Sequence, residues 1–269
     1  MRKLGGARQF NRARSEHTHS YQPSGASHVH LLVVTHSTVT DTSTASPRLA
    51  AVLWDMDGTL IDSEIIWSWA QSQLLEEFGL PPMSPEQEEQ FVGVSIEIGA
   101  VRFQELGVPL TIEEIVTGVT NRVAERVRTG VEWRPGVSAL LAGLHADRVP
   151  LAVVTNSSRN IVDAMLSHLP SHNFRALITS EEVTNPKPHP EPFLTAAQRL
   201  GVAANHCVAI EDSPTGVASA VAAGCAVIAV PHGANVAASD TFDRRSTLVD
   251  VDVPYLHGLV RRFAKEDDQ

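Results

Sequence analysis

The chain has 269 residues, enough to bury a core and to hold an insertion beside one domain. Hydrophobic residues make up 43% and charged residues 19%, an ordinary balance for a water-soluble globular protein, and no apolar run approaches a membrane span. The formal net charge of -10 repels phosphate backbones and excludes the basic footprint of a nucleic-acid binder, so an anionic ligand must be held by a few focused cations.

Residues 1–47 mix Ser, Thr, His, Arg and Gln without apolar periodicity, which predicts a disordered N-terminal tail. Its five histidines are irregularly spaced with no cysteine beside them, which favours a solvated tail over a metal-binding tract. The apolar stretch at 31–34 is too short for a secretory signal, and the two cysteines, Cys207 and Cys225, lie among small apolar residues as inert core thiols. A cytoplasmic location is the expectation.

From Leu49 onward, strand and helix patterns alternate. Short continuous apolar runs at 49–54, 151–154, 176–178, 207–210 and 226–230 predict parallel strands covered on both faces. Helical stretches at 136–146, 159–169, 192–200 and 215–223 lie between them. The expected fold class is α/β, a doubly wound parallel sheet. After the first strand, 65–132 reads as helix after helix, at 65–78, 96–106 and 112–129, and Trp133-Arg134-Pro135-Gly136 closes the stretch. The expected domains are therefore a core of 48–64 plus 133–265 and an inserted α-helical cap at 65–132.

Four segments at the carboxyl ends of strands carry chemistry, where open α/β sheets bind their ligands. In Asp55-Met56-Asp57-Gly58-Thr59, two carboxylates can share a hard cation and leave an oxygen free to attack, while Gly58 lets the chain turn. In Thr155-Asn156-Ser157, a hydroxyl beside exposed amides suits a phosphate, a role compatible with helix capping by Asn156 or Ser157. Asn185-Pro186-Lys187-Pro188-His189-Pro190 is a proline-locked loop holding one of only three lysines, against eighteen arginines. That choice points to a task for a compact ammonium. Glu211-Asp212-Ser213-Pro214 adds two acids that complete an oxygen-ligand set.

Together, the stretch from Leu53 to Glu64 and the three later segments resemble the four motifs of haloacid dehalogenase-type phosphatases, in the right order. The resemblance spans residues 49 to about 235. It implies a Rossmann-like core with an inserted helical cap and a Mg²⁺-dependent phosphatase of small phosphate monoesters. Sugar or sugar-alcohol phosphates are suggested by Asp62-Ser63-Glu64 followed by Trp67. Asp55 would be the nucleophile, transiently an aspartyl phosphate, and Asp57 the acid for the leaving alkoxide and then the base for water. Thr155 and the backbone amide of Asn156 would bind the transferred phosphoryl group, and Lys187 would neutralise its developing charge. Mg²⁺ prefers oxygen ligands and keeps waters, so the expected metal residues are Asp55 and Asp212 by side chain, Asp57 by carbonyl oxygen and Glu211 through water. His189 is expected to pack the loop.

Other classes share parts of this pattern. A haloacid dehalogenase has the fold and nucleophile but lacks an acid at the position of Asp57 and the metal set. A phosphoacceptor signalling domain lacks both a counterpart of Asp57 and a helical insertion. The β-phosphoglucomutases share all four motifs, but they carry basic residues around a Gly-Val-Ser segment and a histidine in the first cap helix. Here Val92 and Ile96 flank Gly93-Val94-Ser95, the helix position is Trp67, and Arg102 is the cation that could stand in. Phosphoglycolate stays open as a substrate. The expected partner is a small phosphorylated metabolite, without nucleic acid or membrane, and the oligomeric state is open, with monomers common in this class.

Overall fold

The computed structural model describes residues 48–91, 94–169, 172–233 and 235–263. The expected tail at 1–47, the Val92-Gly93 pair and the far end of the core at 265 lie outside the described residues.

The sheet is built from β1 (Ala51–Trp54), β2 (Leu151–Val154), β3 (Phe174–Ile178), β4 (Cys207–Glu211), β5 (Ala226–Ala229) and β6 (Asp243–Arg244). Every strand pairing is parallel, in the order β3-β2-β1-β4-β5-β6. Helices cover both faces, so the strands read as unbroken apolar runs. Val52, Trp54, Val153, Val208 and Ile210 point into one apolar cluster, while Ala51, Leu53, Ala152, Val154 and Ala209 point into the other. The second face is lined by α7 (Glu191–Leu200) and α8 (Pro214–Ala222), through Phe193, Ala196 and Ala220. On the first lie α5 (Val137–Ala146), α6 (Arg159–Leu166) and α9 (Val253–Phe263).

The chain leaves β1, makes α1 (Glu64–Glu77), α2 (Pro85–Glu89), α3 (Ile96–Glu105) and α4 (Ile112–Thr129), and returns to the sheet at α5. The entry and exit segments of this insertion run side by side. Asp62 N donates to Glu132 O at 2.8 Å, Arg134 N donates to Leu60 O at 3.0 Å, and Ile61 bridges Trp133. Thr111 starts α4 with a capping box closed by Glu114, and Ser84 starts α2 with one closed by Gln87. One apolar cluster runs without interruption from Trp54 and Ile210 through Leu60 and Ile61 to Phe103 and Val119 in the inserted helices.

Among the elements not foreseen, α2 and β6 are too short for a periodic signal, and α9 interleaves its apolar residues with polar ones. It buries Val253, Leu256, Leu259 and Val260 on a single stripe. β3 begins at Phe174 rather than at 176, because it is an edge strand with Arg175 turned to solvent, which breaks the apolar run. Phe103 is fully buried and lies 4.8 Å from the Phe91 ring centroid. Phe103→Ala is expected to cost about 3–5 kcal/mol by leaving a cavity, read as a lower urea midpoint at unchanged slope.

Candidate active site

β1 lies between β2 and β4, so connections leave it in both directions and its carboxyl end opens a crevice. Asp55 stands at that end, with its backbone N–H donating to Ile210 O at 3.0 Å. The fully buried Glu211 ends β4, and Asp212 follows it. Lys187 arrives from the proline-locked loop before α7, through a cis peptide to Pro188. Its ammonium donates to Asp55 Oδ1 at 2.7 Å, Glu211 Oε1 at 2.5 Å and Val154 O at 2.7 Å, which uses all three of its protons.

Two glycines exist to make room for carboxylates. A Cβ on Gly216 would stand 1.8 Å from Glu211 Oε1. Gly58, at φ +80°, would place one 2.3 Å from Asp212 Oδ2. The remaining Glu211 oxygen accepts from the backbone N–H groups of Asp212 and Ser213 at 3.1 and 3.2 Å. Ser213 also caps α8, accepting from Gly216 N at 3.1 Å.

Asp57 is held from two sides. Its Oδ1 accepts from Ser63 Oγ at 2.7 Å and Trp67 Nε1 at 3.0 Å. Its Oδ2 accepts from Ser157 Oγ at 2.6 Å and, more weakly, Thr155 Oγ1 at 3.4 Å. The structure thus gathers Asp55, Asp57, Thr155, Lys187, Glu211 and Asp212, while the neighbouring Asn156 is exposed. The capping role considered for Asn156 or Ser157 is not filled by either: Ser158 stands at the N-cap position of α6 without a side-chain cap bond, and Ser157 turns its hydroxyl to Asp57. His189 packs its loop as expected, with Nδ1 accepting from Glu191 N at 3.1 Å and its carbonyl from Ser219 Oγ at 2.6 Å.

Sequence reasoning did not pick out Ser63, Trp67 and Ser157 as partners of Asp57. Ser63 precedes α1 yet makes no side-chain cap, and Trp67 lies four residues on, on the same helix face. That spacing was the available signal. Its target was not visible without the fold.

The electrostatics call for a cation. Burial pushes the Asp55 carboxyl up to about 7, against the pull of Lys187 and aided by Glu211. Burial, then Asp55 and Glu211, push Asp212 up to about 9. Burial opposes the Lys187 charge, but Asp55 and then Glu211 outweigh it and raise its pKa. One ammonium cannot balance these acids. Ligand atoms of Asp55, Glu211 and Asp212 lie within 4.8 Å of one another, and Asp55 Oδ2 is buried with no hydrogen-bond partner. An all-oxygen, over-negative cluster with an unpartnered carboxylate oxygen fits a hard divalent cation.

A sequence profile of haloacid dehalogenase-like hydrolases matches residues 52–230. The chain belongs to that family. It is 35% identical over 193 residues to hexitol phosphatase A of Escherichia coli, a match covering 68% of this chain and 83% of that enzyme. It is 32% identical to a phosphoglycolate phosphatase of Chromobacterium violaceum, over 69% of this chain and 86% of that one. Crystalline CbbY from Rhodobacter sphaeroides, in complex with phosphate, superposes with a TM-score of 0.69 at 24% identity, covering 76% of this chain and 96% of that one, and so shares the fold. Within the haloacid dehalogenase-like family this chain is a phosphoric monoester hydrolase, and among its described residues no helix is long and apolar enough to cross a membrane.

The raised carboxyls set a pH signature. Asp55 and Asp212 bind protons more tightly folded than unfolded, so their contribution to cation-free stability is present at acidic pH and is lost as pH rises from about 4 through about 7 for Asp55 and about 9 for Asp212. Thermal melting with chelator and with excess Mg²⁺ is expected to show a larger gain from the cation near pH 9 than near pH 5.

Proposed function

We propose that this hydrolase is a cytoplasmic, Mg²⁺-dependent phosphatase of sugar or sugar-alcohol phosphates that works through an aspartyl phosphate on Asp55. The observation that carries the reading is the buried Lys187 ammonium shared by Asp55 and Glu211, beside an Asp55 oxygen without a protein partner. A carboxylate kept close to a fixed cation at a strand end is placed to attack phosphorus, and the ammonium offsets the charge that develops there. The likeness to hexitol phosphatase A supports the substrate class. The buried free thiols Cys207 and Cys225 support a reducing compartment.

Asp55 attacks in line, its oxygen–phosphorus bond forming as the ester bond breaks, and Asp57 gives its proton to the leaving alkoxide. Asp57 then takes a proton from the water that attacks the aspartyl phosphate, freeing Asp55 and inorganic phosphate. Thr155 and the backbone amide of Asn156 bind the phosphoryl group. Asp55 and Asp212 by side chain, Asp57 by carbonyl and Glu211 through water would hold Mg²⁺, which supplies charge stabilisation to the phosphoryl oxygens. The inserted helices, 65–132, act as a cap over the core of 48–64 and 133–265 that excludes water and selects the substrate.

A phosphomutase is the reading to beat, since a mutase needs cations to grip a second phosphate. Trp67 occupies the first-helix position and bonds Asp57, and Ile96 opens α3. Arg102 lies with its guanidinium 5.8 Å from the Phe91 ring centroid. A panel of phosphorylated metabolites should show release of inorganic phosphate, with Asp55→Asn falling below a few percent of wild type because an amide cannot form the acyl phosphate. Residual activity above that level sinks the nucleophile. With β-glucose 1-phosphate and catalytic bisphosphate, phosphate release should outrun formation of glucose 6-phosphate, and the opposite order would establish a mutase.

A further inference from the structure

We propose that Trp67 is a positioning residue for Asp57, pinning one oxygen of its carboxylate with the indole N–H while Ser157 grips the other. The inference rests on Asp57 acting as the acid and base. An aspartate carboxylate turns freely about its last torsion, over a broad and nearly two-fold profile, unless both oxygens are held. Here both are: Ser63 and Trp67 reach Oδ1 from α1, and Ser157 and Thr155 reach Oδ2 from the loop after β2.

Trp67 differs in kind from the three hydroxyls. A hydroxyl can rotate to donate or accept, whereas an indole N–H can only donate. The Trp67 ring is also packed against the main apolar cluster, so it cannot follow a turning carboxylate. Oδ1 therefore remains an acceptor throughout, and the proton passed to the leaving alkoxide is carried on Oδ2. The Ser157 and Thr155 hydroxyls facing that oxygen can reorient when it is protonated. Neither side chain is diverted by capping, since Ser63 makes no side-chain cap of α1 and Ser158 takes the N-cap position of α6.

The test compares kcat/KM on an alkyl phosphate with kcat/KM on an aryl phosphate, whose leaving group departs without a proton. This ratio reports the steps through cleavage of the ester bond, where Asp57 serves as acid. Asp57→Asn is the reference and should lose far more on the alkyl substrate. Trp67→Phe keeps the ring packing and removes the donor. Its loss should be about ten- to a hundredfold larger on the alkyl than on the aryl substrate, the scale of a hydrogen bond to a charged group. Ser157→Ala should show the same bias, and Ser157→Thr, which keeps the hydroxyl, should recover. Equal losses on both substrates, or no loss with Trp67→Phe and Ser157→Ala alike, overturn the positioning role. If Trp67→Phe lowers the melting temperature, the Ser157 pair decides by the same criterion. A reference variant without leaving-group bias overturns the reading of Asp57 itself, so the two failures are distinct.

Discussion

The site depends on one ammonium buried between two carboxylates. Lys187 has 3% of its side chain exposed, Glu211 none and Asp55 9%, so each charge has given up nearly all its water. Such a trio is tolerable only when the geometry is close and the other lone pairs are satisfied. Glu211 meets that condition with two backbone N–H groups and Ser213, and Lys187 with Val154 O. Asp55 meets it only in part: one oxygen is left without a partner, in a cluster already too negative. That deficit fits a hard divalent cation, and removing any one of the three residues would strand a buried charge.

The sheet supplies the geometry that the trio requires. Three parallel neighbours, β2, β1 and β4, end at the same level, which brings Val154, Asp55 and Glu211 around one nitrogen. The missing side chains matter as much as the present ones. Gly216 leaves the space that the Glu211 carboxylate fills, and Gly58 leaves that of Asp212. Their backbone freedom is secondary at Gly216, which sits inside a helix, and is used as well at Gly58, where φ is +80°.

Asp55 and Asp57 are two residues apart but live in different environments. The first is held by the Lys187 ammonium from the loop before α7, and the second by neutral donors from the loop after β2 and from the start of the inserted helices. Two carboxylates with separate tasks need such separate surroundings. Because α1 carries Trp67 and Ser63 immediately precedes it, the start of the inserted helices touches the Asp57 carboxylate directly. The apolar cluster that crosses from the sheet into the inserted helices fixes α1 for that contact. Asp55 takes its side-chain hydrogen bond from Lys187, outside that insertion.

The parallel α/β sheet was legible in the sequence, because strands buried on both faces read as continuous apolar runs alternating with helices. Asp55, Thr155, Glu211 and Asp212 were legible too, since each stands at or just after a strand end where spacing along the chain fixes its place, whereas Lys187 stood out as a scarce lysine in a proline-locked loop. The edge strand β3, with Arg175 in solvent, and the amphipathic helix α9 were blurred for the opposite reason: one covered face weakens the pattern. What only the tertiary structure decided are contacts between residues far apart in sequence. Ser157 lies 100 positions from Asp57, and its hydroxyl reads locally as a helix cap until the fold turns it to the carboxylate. Trp67 stands in the sequence as the first-helix residue where mutases carry a histidine, and only the docking of α1 brings its N–H to Oδ1. Local sequence sets which donors exist, and the packing of helix on sheet sets which acceptor each one finds.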